Sequence, residues 1–208
     1  CRLMPYLYSQ SMLARECGTP VMRAMMLEFP DDPACDYLDR QYMLGDALLV
    51  APVFSEQGEV SFWLPEGRWT HLWHNDELPG SRWYRQRHDF LSLPVYVRDN
   101  TLLALGNNHQ KPDYAWHQGT AFQLFHLKDG REALCEVPGA DGAVRFTLRV
   151  SRIGNQLTVR GEGDASGWSL CLRNVQRIDG TEGATQAGSE WGVVVTPQHG
   201  VSVFTVTL

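Results

Sequence analysis

The sequence predicts a mostly β chain of antiparallel sandwiches, preceded by a short α/β segment. Three observations carry this. All six Met lie between Met4 and Met43, in a stretch that reads helix, strand, helix, strand. Five of the seven Trp lie between Trp63 and Trp116, among short strand-like runs. From about Asp129 onward, Gly-containing turn pairs separate stretches in which apolar and polar residues alternate. The three compositions mark three structural contexts.

In the first context, Leu3, Tyr6, Leu7, Leu13, Ala14 and Cys17 fall on one helical face. Pro5 suits a first helical turn, and Gly18 is a natural stop just past the helix end. Residues 21–27 form a nearly continuous apolar run broken only by Arg23, as expected for a parallel strand covered on both faces. Asp31, Asp32 and Pro33 give a cap and first-turn signal for a helix reaching Leu44, with Gly45 ending it. Residues 47–54 read as another buried strand. One parallel strand with a helix on each side cannot close a core, so residues 1–45 are expected to be the end of a larger α/β domain.

The second context, residues 46–120, contains strand candidates at 60–64, 68–73, 90–97 and 101–105. Pro65-Glu66-Gly67 and Pro79-Gly80 mark turns between them. In the third, residues 121–208, Val144, Phe146, Leu148 and Val150 alternate with polar residues as a half-buried strand does. Asp129-Gly130, Asp141-Gly142, Gly154-Asn155 and Asp179-Gly180 supply its turns. The pattern is that of an antiparallel sandwich.

Composition narrows the function. The 208 residues are 43% hydrophobic, enough to bury a sizeable core. Eighteen basic residues stand against 24 acidic ones and form no long basic run, so no nucleic-acid partner is expected. No apolar stretch has the length of a membrane span, and no membrane partner is expected. Cys1, Cys17, Cys35, Cys135 and Cys171 are odd in number and irregularly spaced. That argues against a disulfide framework and for a reducing, cytoplasmic setting. Without a CxxC pair, a structural zinc site is not expected. His71 and His74, three apart on an expected strand, should point to opposite faces and share no metal.

Three segments resemble glycoside hydrolase family 31. Met4-Pro5-Tyr6-Leu7-Tyr8 is similar to a helix motif of that family. Residues 19–32, TPVMRAMMLEFPDD, are similar to its last barrel strand and the loop after it. Residues 42–53, with Leu44-Gly45-Asp46 before Leu48-Leu49-Val50-Ala51-Pro52, make the most specific match. Leu64-Pro65-Glu66-Gly67-Arg68-Trp69 and Leu93-Pro94-Val95-Tyr96-Val97-Arg98 match more weakly. Where the family often has R-x-G-S-I-I-P, this chain has residues 98–104, RDNTLLA. That version looks most similar to bacterial α-xylosidases.

The resemblance implies a retaining α-glycosidase on a TIM barrel, using two carboxyl groups roughly 5 Å apart and no cofactor or metal. Residues 1–45 would be the end of the (β/α)8 barrel, 46–120 a proximal β-sandwich and 121–208 a distal one. The fold class expected is thus antiparallel sandwiches behind the last elements of a truncated TIM barrel. The family's two catalytic Asp lie on barrel strands before the matched segments. No catalytic, substrate-binding or metal-ligating residue therefore carries over, and the chain alone is expected to be inactive. The implied parent acts on α-xyloside or α-glucoside substrates and is expected to be a homo-oligomer. A carbohydrate-binding module and an oligomerisation module are the rival readings.

Four local features are candidate sites. Glu28-Phe29-Pro30-Asp31-Asp32 is either a substrate-facing loop or a helix cap with a structural carboxylate. Trp63, Trp69, Trp73, Trp83 and Trp116 either stack sugar or fill a core, with the core reading favoured and little sugar affinity expected. Arg82, Arg85, Arg87 and His88 either bind an anion or a neighbouring subunit, or lie on a solvated loop. Met22, Met25 and Met26 are expected to be barrel core filler.

Overall fold

The computed structural model describes all 208 residues. Strands dominate, and the chain divides into two compact units. Residues 13–99 form the proximal unit, and residues 1–12 with 100–208 form the distal unit. The helix α1 (Met4–Cys17) runs across the point of division. No helix is long and apolar enough to cross a membrane.

The proximal unit holds β1 (Met22–Ala24), β2 (Tyr42–Leu44), β3 (Leu48–Val50), β4 (Glu59–Leu64), β5 (Arg68–His71), β6 (Glu77–Pro79), β7 (Arg82–Arg87) and β8 (Val95–Arg98). Six strands make one sheet in the order β1-β2-β3-β8-β5-β6, and β4 and β7 pair as a separate ribbon. The ribbon packs on the sheet through Phe62, whose ring lies 5.5 Å from that of Tyr96. Val60, Phe62 and Leu64 from the ribbon join Met43, Leu49, Trp69 and Tyr96 from the sheet in one core. The alternation of β4, with Val60, Phe62 and Leu64 inward, is what a ribbon with one wet face requires.

The distal unit holds β9 (Thr101–Leu105), β10 (Ala121–Phe125), β11 (Glu132–Pro138), β12 (Val144–Ile153), β13 (Gln156–Gly163), β14 (Ser169–Arg173), β15 (Gly180–Glu182), β16 (Ala184–Ser189), β17 (Gly192–Pro197) and β18 (Val203–Thr207). They form two five-stranded sheets, β16-β17-β14-β10-β9 and β11-β12-β13-β18-β15. All pairs are antiparallel except β10 with β14. Phe146, Leu148 and Val150 face inward from β12, as their alternation predicts. Between the sheets Trp168 meets Phe146 at 5.5 Å and Phe122 and Phe204 at 6.0 Å between ring centres. The Asp141-Gly142 turn joins β11 to β12. Gly142 takes φ 82°, where a side chain would be strained, and Asp141 accepts from the Ala143 N–H at 3.1 Å. The first turns of α1 lie on this unit: Tyr8 donates to the Ala140 carbonyl at 2.9 Å, and its ring centre lies 4.8 Å from that of Trp116 in a tilted pair.

Several expectations need correction. Residues 21–27 are not one continuous strand. Only Met22–Ala24 is extended, and it pairs antiparallel with β2, followed by the single turn α2 (Met25–Glu28). The cause is Arg23, which interrupts the apolar run: its side chain is the buried one, while Met22 and Ala24 face out. The helix expected over 31–44 is one 3-10 turn, Pro33–Cys35. Asp32 caps it as foreseen, but no apolar period continues it, and the chain enters β2 instead. Gly45, at φ 66°, turns β2 into β3 rather than ending a helix. Residues 22–24 and 42–44 therefore share a sheet with residues 48–50. Residues 90–91 are an exposed turn, and the strand expected from 90 begins at Val95. Cys17 is exposed rather than buried, whereas Cys35 is buried, and no disulfide joins any two of the five cysteines.

Candidate functional site

The proximal unit concentrates the polar chemistry. Glu28, at the end of α2, joins two arginines that lie far apart in sequence. Its Oε2 accepts from Arg23 at 2.8 Å, and its Oε1 accepts from Arg98 at the end of β8. Arg23 also donates through Nε to the Pro20 carbonyl at 3.0 Å, and the Arg98 guanidinium lies over the Phe29 ring at 5.3 Å. Both carboxylate oxygens of Glu28 are thus engaged by cations inside the unit, which is the arrangement of a structural anion.

Asp32 is committed in the same way. Oδ1 accepts from the Ala34 N–H at 3.0 Å and Oδ2 from the Trp63 indole at 2.8 Å. Cys35 lies behind this cap. Burial first, and then the Asp32 carboxylate, push its thiol up to about 12. Six residues on, the Gln41 side chain copies a strand pairing: it donates to the Trp63 carbonyl and accepts from the Trp63 N–H, both at 2.8 Å. The 28–32 segment therefore follows the plainer of its two readings, a cap with structural carboxylates.

The clamp by Gln41 fixes one side of a groove. The segment 37–41, residues 52–55 and the outer face of the β4–β7 ribbon enclose about 800 Å³. Tyr37, Phe54 and Trp83 line it, with Asp39, Arg40 and the Glu59–Arg85 ion pair, which closes at 2.5 Å. Trp83 is backed by Trp63 at 5.9 Å in an edge-on pair.

The five clustered tryptophans divide. Trp69 and Trp116 are core, Trp63 is half-buried, and Trp73 and Trp83 are exposed. Sequence reasoning named Trp83 but missed Tyr37 and Phe54. Residue type does not distinguish an exposed aromatic from a buried one, and only the pairing of β4 with β7 brings these segments together. Arg82, Arg85 and Arg87 lie on a strand, not a loop. Arg85 pairs with Glu59, and Arg87 donates to the Gln57 carbonyl at 3.1 Å. Of the methionines, Met25 is core, but Met22 and Met26 are exposed.

His71 and His74 do come together, with ring centres 4.6 Å apart. The strand ends at His71, and the turn after it reverses the direction that strand geometry would impose. His71 Nδ1 accepts from the backbone N–H of Trp73 at 3.3 Å and of His74 at 3.2 Å. Burial, followed by the neighbouring His74, lowers its pKa to about 4. His88 is lowered too, by burial and by His74. In the distal unit, Arg173 is buried between Phe125 and Trp191, 4.8 and 4.7 Å from the ring centres, and burial lowers it to about 10.

Comparison with known proteins places these units. Residues 18–103 match the glycosyl hydrolase family 31 C-terminal domain, and residues 115–208 match the C-terminal domain of the α-xylosidase YicI. An α-xylosidase of Emericella nidulans is 40% identical over 119 residues, covering 53% of this chain and 15% of that protein. The α-xylosidase XylQ of Lactiplantibacillus pentosus is 32% identical over 165 residues, covering 77% of this chain and 22% of that protein. The chain thus spans about a fifth or less of the length of these relatives. In three dimensions it is similar to a family 31 dextranase of Flavobacterium johnsoniae solved with glucose, with a TM-score of 0.83 at 20% identity. That alignment covers all of this chain and 31% of the dextranase. The two domain matches together span most of the sequence, and the chain belongs to glycoside hydrolase family 31, whose C-terminal domains it carries.

Proposed function

We propose that this chain is the C-terminal part of a retaining α-xylosidase that removes terminal α-xylosyl residues. On this reading it braces the catalytic barrel and carries neither catalytic carboxylate. The observation that bears most weight is the match of residues 115–208 to an α-xylosidase C-terminal domain, with α-xylosidases of three organisms among the relatives. The committed states of Glu28 and Asp32 support the second half of the reading, because each already has both oxygens engaged. Since β1 and β2 belong to the proximal sheet, contact with the barrel falls to α1 and to the exposed Met22, Met26 and Leu27. The parent is proposed to be a cytoplasmic homo-oligomer.

The test is release of nitrophenol from aryl α-xyloside and aryl α-glucoside, by this chain and by the full-length parent. The parent should prefer the xyloside, and the chain should match a no-protein control. Turnover by the pure chain, or a parent that prefers the glucoside, overturns the corresponding half.

A further inference from the structure

We infer that the groove on the proximal unit is a binding site for a neutral oligosaccharide, with Trp83 and Tyr37 as its stacking platforms. The groove stands on its own geometry. That the sugar is α-linked rests on the function proposed above.

Three observations carry the inference. First, Tyr37 is 92% exposed, Phe54 71% and Trp83 56%, and all three line one cavity although they come from three separate segments. The unit is well able to bury aromatic rings, as Phe62, Trp69 and Tyr96 attest. Scattered exposed apolar residues are ordinary, but convergent ones mark binding surfaces. Second, the charges in the groove balance: Asp39 and Glu59 stand against Arg40 and Arg85. Such a lining sets up little net field, so it favours neither an anion nor a cation. It does offer carboxylate acceptors and guanidinium donors, which together satisfy hydroxyl groups. Aromatic faces that meet apolar C–H groups, rimmed by donors and acceptors for hydroxyls, are the chemistry a pyranose ring requires. Third, the groove is built in advance. Gln41 is clamped to the Trp63 backbone, Trp63 backs Trp83, and the two strands of the ribbon pair residue for residue from Glu59 with Arg87 to Leu64 with Arg82. Its volume of about 800 Å³ falls among those of small-ligand sites, roughly 300–1,000 Å³. A preformed site loses little order on binding.

The experiment titrates the 208-residue chain with isoprimeverose, isomaltotriose and maltotriose, and with cellotriose as a β-linked control. The readouts are saturation-transfer NMR and Trp fluorescence. The α-linked sugars should bind saturably in the millimolar range. Trp83→Ala and Tyr37→Ala should each weaken binding at least tenfold, with unchanged circular dichroism, because both side chains are exposed. Trp83→Tyr should retain part of the affinity. Trp73→Ala, an exposed Trp outside the groove, should leave it unchanged. No saturation at ten times that range, or affinity that both groove variants leave intact, overturns the site whatever the parent's activity. Binding of the glucosyl but not the xylosyl sugar upholds the groove and counts against the α-xylosidase reading.

Discussion

The distal unit is held by regular ladders and a dry core, and the proximal unit by side chains that stand in for ladders. In the distal unit β12 and β13 pair over eight residues, and aromatic rings from both sheets meet between them. In the proximal unit β1, β2, β3 and β6 have three residues each. Strands so short make few backbone bonds, so Gln41 imitates a strand partner, Asp32 caps a single turn, and Glu28 joins residues 23 and 98. Large apolar side chains are exposed more often there too: nine in the proximal unit, from Met22 to Leu91, against four in the distal unit, from Leu134 to Val203. A fold that rests on ladders tolerates the loss of any one polar contact. A fold that rests on a few polar anchors does not.

The largest effects should separate the two modes. Phe146→Ala removes the ring at the centre of the distal core and should cost that unit about 3–5 kcal/mol. Glu28→Ala leaves the buried Arg23 without its carboxylate and should cost the proximal unit a comparable amount, about 3 kcal/mol or more. Limited proteolysis during urea unfolding reads the two units separately. Each variant should lower the midpoint of its own unit, and a Glu28→Ala protein with an unchanged proximal midpoint would break the contrast.

Gln41→Ala comes next. It strips both hydrogen bonds from the Trp63 backbone, at an expected cost of about 1–3 kcal/mol. Groove binding should weaken with it, since the same clamp sets the 37–41 wall.

The anchors were also what the sequence concealed. The distal sandwich was legible because inward residues such as Phe146, Leu148 and Val150 recur every second position and the Asp-Gly turns break the runs between them. Asp32 was legible as a cap because Pro33 follows it. Residues 21–27 mislead because an apolar run broken only by Arg23 suits both a buried parallel strand and a short edge strand whose outer residues face something else. Gln41 gave no signal at all. A glutamine that replaces a strand neighbour is spelled like any surface glutamine, and its partner lies 22 residues away.

Acid should discriminate between the units more gently. His71 is lowered to about 4 and His88 is lowered as well, each chiefly by burial. The unfolded chain therefore binds more protons than the folded one between about pH 6.5 and 4. The contribution of the neutral rings is complete above pH 6.5 and is lost as pH falls through that window, by about 2–3 kcal/mol for His71. The proximal midpoint should drop between pH 7.5 and 4.5, and His71→Phe should flatten the drop. A proximal midpoint that rises on acidification would contradict the burial of these rings.

The smallest effect is chemical. Cys1 and Cys17 are exposed, whereas Cys35 and Cys171 are buried with raised pKa values. A thiol reagent at pH 8 should modify the first pair within minutes and the second pair only on unfolding. All five thiols should be counted in denaturant without reductant.

The strand order β1-β2-β3-β8-β5-β6 has a consequence during synthesis. β8 sits between β3 and β5, so the sheet cannot close until its last-made strand has left the ribosome. Roughly 45 residues separate Val50 from Val95, which at about 5–20 residues per second is a wait of roughly 2–9 s. Throughout it, the wholly apolar Leu48–Val50 edge stands open. The interval in which a nascent chain most needs a chaperone is thus written into the order of its strands.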